Sequence, residues 1–254
     1  MDLGLRDKVA LVTGAASARG IGRAIALQLA EEGADVACVD INLEGAQSVA
    51  GEIRAVGRRS VALKVDQGDY EQVKAAVAEI GRELGAIDVL VNNAALLGNT
   101  AFLSKMEPAA WDREINVNLS GPYYWVREVF DSMAGRGWGR IISISSMAGV
   151  MGSFGLSGYA SSKGGLVSLT KTVALEGARA GITANAVSLG VIATDSYYQI
   201  RVDLRERIQK RVALEAPGDV QDVASIVAFL ASERARYITG ANIVVDGGLG
   251  LFVY

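Results

Sequence analysis

Short apolar runs alternate with longer amphipathic segments along almost the whole chain. The apolar runs are rich in β-branched residues and predict strands, at 9–13, 36–39, 61–65, 89–91, 140–145, 183–187 and 243–245. The amphipathic segments predict helices, at 21–32, 43–56, 70–84, 110–133, 159–180 and 220–230. Continuously apolar strands separated by such helices are typical of a parallel sheet that is covered on both faces. We therefore expect an α/β protein with a doubly wound sheet of about seven mostly parallel strands.

This alternation continues without a break through all 254 residues. No proline-rich linker and no shift of composition separates two halves, so residues 1–254 are expected to form a single domain. Ligands of doubly wound folds bind beyond the carboxyl ends of the strands. The residues that directly follow each strand are therefore the first candidates for binding and chemistry.

Composition and charge narrow the choice of partners. Half of the residues are hydrophobic, and there are 30 glycines but only 3 prolines, which indicates a compact globular protein. The net charge is -3, no basic run suggests nucleic acid, and no apolar run has the length of a membrane span. The N-terminus is polar and leads straight into the first strand, which leaves no room for a secretory signal. We expect a cytoplasmic protein that binds neither nucleic acid nor membranes.

Histidine is absent from the chain. Its absence excludes Ser-His-Asp hydrolysis, Cys-His proteolysis and metal sites with histidine ligands, and no metal is expected. The single cysteine, Cys38, cannot form an internal disulfide and lies in an apolar run, where a buried structural role is expected. Any acid–base chemistry must use Tyr, Lys, Asp, Glu or a water molecule.

A glycine-rich turn follows the first predicted strand and leads directly into a helix. Glycines at such a turn let the backbone approach a pyrophosphate, and the following helix directs its free N–H groups at the anion. A tight strand-to-helix turn without a ligand is the alternative, because a set of glycines alone is weak evidence. The predicted phosphate contacts are Gly14, Ser17, Arg19, Gly20, Ile21 and Gly22.

An aspartate ends the second predicted strand. Asp40, with Ile41 beside it, is placed to accept hydrogen bonds from the hydroxyls of an adenosine ribose. A carboxylate there repels a 2′-phosphate, which favours NAD over NADP as the cofactor. Arg19 could instead pair with that phosphate, so an NADP-dependent carbonyl reductase is the alternative.

Tyr159 and Lys163 are four residues apart, which places them on one face of a predicted helix. A lysine ammonium beside a phenol favours the phenolate, so we expect the pKa of Tyr159 to lie below its usual value of about 10. Tyr159 is then a candidate general acid and base, and Ser146 is a hydroxyl that could polarise the same substrate oxygen. A surface pair is the alternative for an isolated Tyr and Lys, but here the glycine turn and Asp40 accompany them.

Further motifs follow the later strands. They are Asp66, Asn92-Asn93-Ala94-Ala95, Asn118-Leu119-Ser120-Gly121, the segment from Gly190 to Thr194, and Asp246-Gly247-Gly248. Together with the residues above, they resemble the classical short-chain dehydrogenase/reductase family over nearly the whole chain. The resemblance implies a Rossmann-type fold with a cofactor half at about 1–150 and a catalytic and substrate-binding half at about 140–254.

The same resemblance implies roles for individual residues. It implies a catalytic tetrad of Asn118, Ser146, Tyr159 and Lys163, in which Lys163 also binds the nicotinamide ribose and Asn118 holds a water. Tyr159 is expected to contact the cofactor as well. Further cofactor contacts are implied at Asp66, Gln67, Asn93, Ala94, Gly190, Ile192 and Thr194.

The chain departs from the family pattern at three places. Its glycine turn is two residues longer, so the direction in which Arg19 points does not carry over. Ala95 replaces a glycine, and Leu189 replaces the proline before Gly190. Since neither substitution removes a reacting group, we expect a changed pocket shape rather than lost activity.

Mostly apolar and aromatic residues are expected to line the substrate pocket. Beside Ser146 and Tyr159, the predicted substrate contacts are Ala95, Met147, Phe154, Leu156, Leu189 and Tyr197. Such a lining suits a small, neutral, partly hydrophobic secondary alcohol or ketone. The same side chains could equally be core or subunit contacts. Residues 201–211 alternate in charge and predict an exposed helix.

Two classes of function fit the sequence. The first is an NAD-dependent oxidoreductase that transfers hydride reversibly, and the second is a nucleotide-binding regulatory protein without turnover, since a fold does not fix a function. Ser146, Tyr159 and Lys163 favour the first class, because a binding module has no need of that spacing. The resemblance also implies a homo-oligomer, a tetramer or a dimer, built partly from the helices that begin near Ala110 and Tyr159.

Overall fold

The computed structural model describes residues 2–98 and 100–251. Its strands are β1 (Val9–Thr13), β2 (Asp35–Asp40), β3 (Ser60–Lys64), β4 (Val89–Asn92), β5 (Gly139–Ser146), β6 (Ile182–Leu189) and β7 (Asn242–Val245). They form one parallel sheet in the order β3-β2-β1-β4-β5-β6-β7. β1, β4 and β5 are buried over nearly their whole length because helices cover both faces. This burial explains why these strands are continuously apolar in the sequence.

Helices cover the two faces of the sheet. They are α1 (Ile21–Glu31), α2 (Leu43–Ala55), α3 (Tyr70–Glu83), α4 (Pro108–Ile115), α5 (Gly121–Arg136), α6 (Met147–Met151), α7 (Ser157–Gly177), α8 (Asp195–Gln199), α9 (Val202–Gln209) and α10 (Val220–Ala231). The buried side chains of α1, α2 and α10 form a core on one face, and those of α3, α5 and α7 form a core on the other. The predicted fold class is therefore confirmed. None of the helices in the described ranges combines the length and the apolar character needed to cross a membrane.

One predicted helix is interrupted. The sequence pattern predicts a single helix at 110–133, but the structure has α4, a π-helical turn at Asn116–Ser120, and then α5. Pro122 stands in the first turn of α5 and has no N–H, so it cannot donate to the carbonyl of Asn118 as a continuous α-helix requires. A wider turn accommodates this gap. Hydrophobic periodicity does not predict this interruption, because apolar residues recur at helical spacing on both sides of the π-helical turn.

Two short helices are absent from the sequence prediction. α6 and α8 have five residues each, too few to produce a helical period. Both follow strands at the carboxyl edge of the sheet, α6 directly after β5 and α8 shortly after β6. α9 lies inside the predicted exposed helix at 201–211, and none of its residues is buried.

The order of the strands reverses between β1 and β4. From β1 the sheet continues to β2 and β3 on one side, and from β4 it continues to β5, β6 and β7 on the other. Such a reversal opens a crevice at the carboxyl ends of the strands, which is where doubly wound folds bind ligands. The topology thus gathers the residues that follow β1, β2, β4, β5 and β6 along one edge.

Candidate active site

A cleft of about 650 Å³ lies at the carboxyl edge of the sheet. Its volume is in the usual range of ligand sites. Most of the predicted site residues line it, namely Gly14, Ser17, Gly20, Ile21, Gly22, Asp40, Ile41, Asp66, Gln67, Asn93, Ala94, Ala95, Ser146, Tyr159, Lys163, Leu189, Gly190, Ile192, Thr194 and Tyr197. The structure therefore brings the glycine turn and the Ser146, Tyr159 and Lys163 group into one cavity.

The glycine turn packs closely on its surroundings. Gly14 has φ +70°, and a Cβ atom added there would lie 2.7 Å from the Cα atom of Ala94. A Cβ atom added to Gly22 would lie 2.2 Å from the carbonyl oxygen of Gly14. α1 then begins at Ile21 without a side-chain cap, so its first N–H groups are free to bind an anion. This arrangement fits the pyrophosphate of a dinucleotide.

Asn93 fastens the glycine turn to the end of β4. Its side-chain amide donates hydrogen bonds to the carbonyl oxygens of Thr13 (2.8 Å) and Gly14 (3.0 Å). The hydroxyl of Thr13 in turn accepts from the backbone N–H groups of Asn93 and Ala94, both at 3.0 Å. Asn93 lines the cleft, but the hydrogen bonds of its side-chain amide go to the glycine turn.

Asp40 stands at the end of β2, beside the glycine turn. Its carboxylate accepts hydrogen bonds from the backbone N–H groups of Ala16 and Asn42, both at 3.0 Å. Ala16 belongs to the lengthened turn, so the carboxylate fixes that turn in place. The side chain is half-buried and lines the cleft, where its oxygens can accept further hydrogen bonds.

Arg19 lies beside the carboxylate of Asp195. Its guanidinium lies 3.9 Å from the carboxylate of Asp195, in α8, and 5.8 Å from the ring centroid of Tyr198. Asp195 also accepts hydrogen bonds from the Ser17 hydroxyl (3.0 Å) and from the Arg19 backbone N–H (3.4 Å). Arg19 does not line the cleft, whereas Asp195 does. Sequence reasoning missed Asp195, although its position directly after Thr194 is a usable signal.

Asp66 and Gln67 follow β3. The Asp66 carboxylate pairs with Arg113 of α4 at 2.9 Å and accepts from the backbone N–H of Gly68. Gln67 donates to the carbonyl oxygens of Ala94 (3.1 Å) and Val117 (2.8 Å), which turns its amide into the protein. Arg113 is a further cleft residue that the motifs did not indicate.

The segment after β6 closes the opposite side of the cleft. Gly190 must be a glycine, because an added Cβ atom would lie 2.7 Å from the Cα atom of Asp246. Leu189, the residue that replaces the family proline, is buried and pairs with Val245 in the sheet. Ile192, Thr194 and Tyr197 lie on the same segment and line the cleft.

Ser145 and Ser146, at the end of β5, make different hydrogen bonds. The hydroxyl of Ser145 is buried and donates to the carbonyl oxygen of Lys163 at 2.9 Å. The hydroxyl of Ser146 caps α6 by accepting from the backbone N–H of Ala148 at 3.1 Å, and Ser146 lines the cleft. Ser146 therefore retains a hydroxyl proton to donate, which supports its selection over Ser145.

Lys163 is 2% exposed, and its ammonium donates to the carbonyl oxygen of Ile144 at 2.7 Å. Burial disfavours the charged form and lowers its pKa to about 8. The ammonium lies 5.8 Å from the ring centroid of Tyr159, on the same face of α7. The predicted helical pair of Tyr159 and Lys163 is thus present.

The prediction of a lowered tyrosine pKa is wrong for this structure. The pKa of Tyr159 is raised above its ordinary value, first because burial disfavours the phenolate. A hydrogen bond with Ser146 lowers the pKa, and the negative charge of Glu114 raises it. Lys163 donates to Ile144 and is not among the causes that shift the pKa of Tyr159, so it does not offset the burial of the phenol.

Asn118 does not line the cleft. It is fully buried in the π-helical turn, where its side chain accepts from the backbone N–H of Leu96 (2.7 Å) and donates to the Leu96 carbonyl (2.8 Å). Both ends of its amide therefore fix the loop after β4. The water-holding role implied by the family stays a prediction.

Three predicted substrate contacts also lie outside the cleft lining. Met147 is buried in α6, and Leu156 precedes the first residue of α7. Phe154 is 81% exposed and packs edge-on against Phe102, with ring centroids 5.1 Å apart. The glycines at 152 and 155, which flank Phe154, both have positive φ. An apolar residue that lines the pocket and an apolar residue that packs elsewhere look alike in the sequence, so the prediction included these three residues.

Known proteins resemble this chain over nearly its whole length. A family model described as enoyl-(acyl carrier protein) reductase matches residues 14–250. Nodulation protein G of Azospirillum brasilense is 41% identical over 247 residues, which are 96% of this chain and 99% of that protein. The 3-oxoacyl-(acyl-carrier-protein) reductase FabG of Staphylococcus epidermidis is 41% identical over 247 residues, with the same coverage. Among solved structures, an NAD⁺-bound xylitol dehydrogenase matches with a TM-score of 0.91 and 31% identity, over 96% of this chain and 99% of that one.

Proposed function

The chain belongs to the short-chain dehydrogenase/reductase family of oxidoreductases acting on CH–OH groups, and we propose that it transfers hydride reversibly between NAD and a small, neutral, partly hydrophobic secondary alcohol or ketone. The observation that carries this proposal is the shared cleft, in which Ser146, Tyr159 and Lys163 face the same cavity as the glycine turn. A regulatory nucleotide-binding protein has no need of that arrangement.

Asp40 supports NAD as the cofactor. Its half-buried carboxylate lies at the end of β2, where a ribose hydroxyl would bind and a 2′-phosphate would meet a like charge. The cation that could have attracted that phosphate, Arg19, is directed at Asp195 instead. Charge placement therefore favours the unphosphorylated dinucleotide.

The side chains around the cleft provide the proton chemistry. The bound nicotinamide would supply or accept the hydride. Tyr159 would donate its phenolic proton to the carbonyl oxygen during reduction and remove the alcohol proton during oxidation. Ser146 would hold the same oxygen by a hydrogen bond, and Lys163 would bind the ribose hydroxyls of the cofactor. The raised pKa of Tyr159 keeps the phenol protonated at neutral pH, which suits proton donation.

A 3-oxoacyl thioester is a second candidate substrate. Its support comes from FabG relatives, which are named as 3-oxoacyl-(acyl-carrier-protein) reductases and are 41% identical to this chain. Exposed apolar side chains of Leu97, Phe102 and Phe154 could contact an acyl chain. The carbonyl group that would be reduced is again a ketone, so Ser146, Tyr159 and Lys163 would act on it in the same way.

The first experiment follows the absorbance of reduced nicotinamide with NAD and NADP. The panel contains secondary aliphatic and cyclic alcohols, polyols, the matching ketones and an acetoacetyl thioester. Tyr159→Phe is expected to lower turnover by at least about 10²-fold while NAD binding is retained. Tyr237→Phe, in a tyrosine that is 99% exposed and does not line the cleft, serves as the matched control.

Asp40→Asn completes the experiment. It removes the charge and keeps one acceptor oxygen, so one of the two backbone N–H groups, that of Ala16 or that of Asn42, loses its acceptor. We expect the affinity for NADP to rise relative to NAD by roughly tenfold. An unchanged preference would refute the role given to Asp40, and full activity of Tyr159→Phe would refute the proposed chemistry.

A further inference from the structure

A carboxylate lies buried under the first turn of α7, next to Tyr159. Glu114, near the end of α4, is 1% exposed, and its Oε2 atom has no hydrogen-bond partner among the described residues. A Cβ atom added to Gly158 would lie 2.3 Å from that oxygen, so the carboxylate packs directly on the helix backbone. Acidic side chains are almost never fully buried without a partner, which makes this position unusual.

The second oxygen of Glu114 fixes a loop of the cleft. Its Oε1 atom accepts a hydrogen bond from the backbone N–H of Gly98 at 2.9 Å. Asn118, four residues later, holds Leu96 of the same loop. This anchoring leaves Oε2 directed at α7.

The start of α7 provides a field that suits an anion. The first N–H groups of a helix have no intrahelical partner, and Leu156, the residue before α7, supplies no side-chain cap for them. The positive end of the helix dipole favours a nearby negative charge. The start of α7 therefore interacts favourably with the carboxylate of Glu114.

Nothing neutralises this charge directly. The basic neighbour on α4, Arg113, pairs with Asp66, and Lys163 on α7 donates to Ile144. No ion pair to Glu114 forms within residues 2–98 and 100–251. The titratable group on α7 that follows the packed Gly158 is Tyr159, and a negative charge beside a phenol disfavours the phenolate.

We propose that Glu114 is a positioning residue for Tyr159, whose buried carboxylate favours the protonated phenol. The charge of Glu114 is indeed among the causes that raise the pKa of Tyr159. Alcohol oxidation needs the phenolate as its base, and a higher pKa of Tyr159 lowers the population of the phenolate, whereas reduction starts from the protonated phenol. Glu114 therefore disfavours oxidation relative to ketone reduction near neutral pH. The direction of catalysis rests on the proposed function, whereas the effect on the phenol does not.

Ultraviolet titration of phenolate absorbance in the free protein tests the proposal without a cofactor. The contribution of Tyr159 is the difference between each protein and its Tyr159→Phe counterpart. Glu114→Gln keeps an acceptor for Gly98 and removes the charge, and it should lower the pKa of Tyr159 by about 0.5–1. Asp112→Asn removes the same charge from an exposed position on the same helix and should leave the titration unchanged.

Glu114→Leu is the second neutral variant, with circular dichroism to verify the fold of each protein. It should lower the pKa as Glu114→Gln does, because both lack the charge. A shift with Leu but not with Gln would assign Glu114 to packing alone, and equal titrations of the wild type and both variants would overturn the proposal.

The pH dependence of turnover gives an independent readout. In alcohol oxidation, the limb that rises with phenol deprotonation should move to lower pH in Glu114→Gln by the same amount as the titration. An unmoved limb would contradict the proposal. If no substrate is turned over, the proposed function fails, and the titration still decides the role of Glu114.

Discussion

Lys163 is a primary amine held 2.7 Å from the carbonyl oxygen of Ile144 in the interior of the protein. Its pKa falls from 10.5 to about 8 because burial removes the water that would solvate the ammonium. Burial likewise raises the pKa of Tyr159. At the scale of single residues, desolvation therefore opposes the charged form of both side chains that would handle the proton. A bound nucleotide with ribose hydroxyls beside Lys163 would change this balance.

Lys163→Met should stabilise the fold and abolish turnover. Below about pH 8 the lysine is protonated in both the folded and the unfolded chain, so the full cost of burying the charge is present. Between about pH 8 and 10.5 the folded chain gives up the proton before the unfolded chain does, and the stability of the wild type rises with pH. We expect a gain on the order of 1–3 kcal/mol at pH 7, reduced by loss of the hydrogen bond to Ile144.

Urea unfolding at a series of pH values checks this prediction. The advantage of the variant should shrink as the pH rises through the window above pH 8 and should disappear beyond it. A constant difference, or a less stable variant at pH 7, would show that Lys163 is not destabilised by burial.

At the scale of elements, α8 joins the segment after β6 to the glycine turn. Asp195 opens this helix and lies within hydrogen-bonding distance of the Ser17 hydroxyl and the Arg19 N–H. The pyrophosphate of a dinucleotide is expected at the same turn, so two anions would compete for one set of donors. Asp195 therefore occupies donors of the predicted phosphate site in this structure.

Asp195→Asn should tighten binding of NAD. The amide retains an oxygen for the Ser17 hydroxyl but removes a negative charge from the phosphate site, and we expect the Kd to fall by roughly 3–10-fold. Fluorescence titration of the free protein measures this. Asp203→Asn, in exposed α9, is the control and should leave the Kd unchanged. Weaker binding by Asp195→Asn would indicate that the carboxylate helps to order the turn.

At the scale of the whole molecule, α7 has two different surfaces. Its first half packs inside the chain: Cβ atoms added to Gly164 and Gly165 would lie 3.0 Å from the Gly149 carbonyl oxygen and 2.9 Å from the Leu119 side chain. Its second half carries Leu175, which is 82% exposed. We expect the homo-oligomer to use this exposed distal part of the helix.

Leu175→Glu should weaken self-association. The wild type is expected to elute as a multiple of the 26.6 kDa chain in size-exclusion chromatography with light scattering. A charge at an apolar contact should shift it toward the monomer by about tenfold or more in the dissociation constant. Val56→Glu, at the end of α2, is the matched control. A wild type that is monomeric at high concentration would contradict the expectation.

The site is only partly readable from the sequence. The glycine turn, Asp40, Ser146, Tyr159 and Lys163 were found because parallel strands place their carboxyl ends at one edge. Glu114 and Asp195 were missed because their partners are distant along the chain: Glu114 contacts Gly98 and Gly158, and Asp195 contacts the glycine turn. Spacing carries no information about such contacts.

The alternation of strands and helices, the parallel sheet and the helical pair of Tyr159 and Lys163 follow from local periodicity, so they could be predicted from the amino-acid sequence. The π-helical turn around Asn118, the ion pair of Arg19 with Asp195 and the raised pKa of Tyr159 depend on how distant segments pack together. Desolvation and charge depend on which distant segments exclude water from a side chain. No pattern along the chain records that burial.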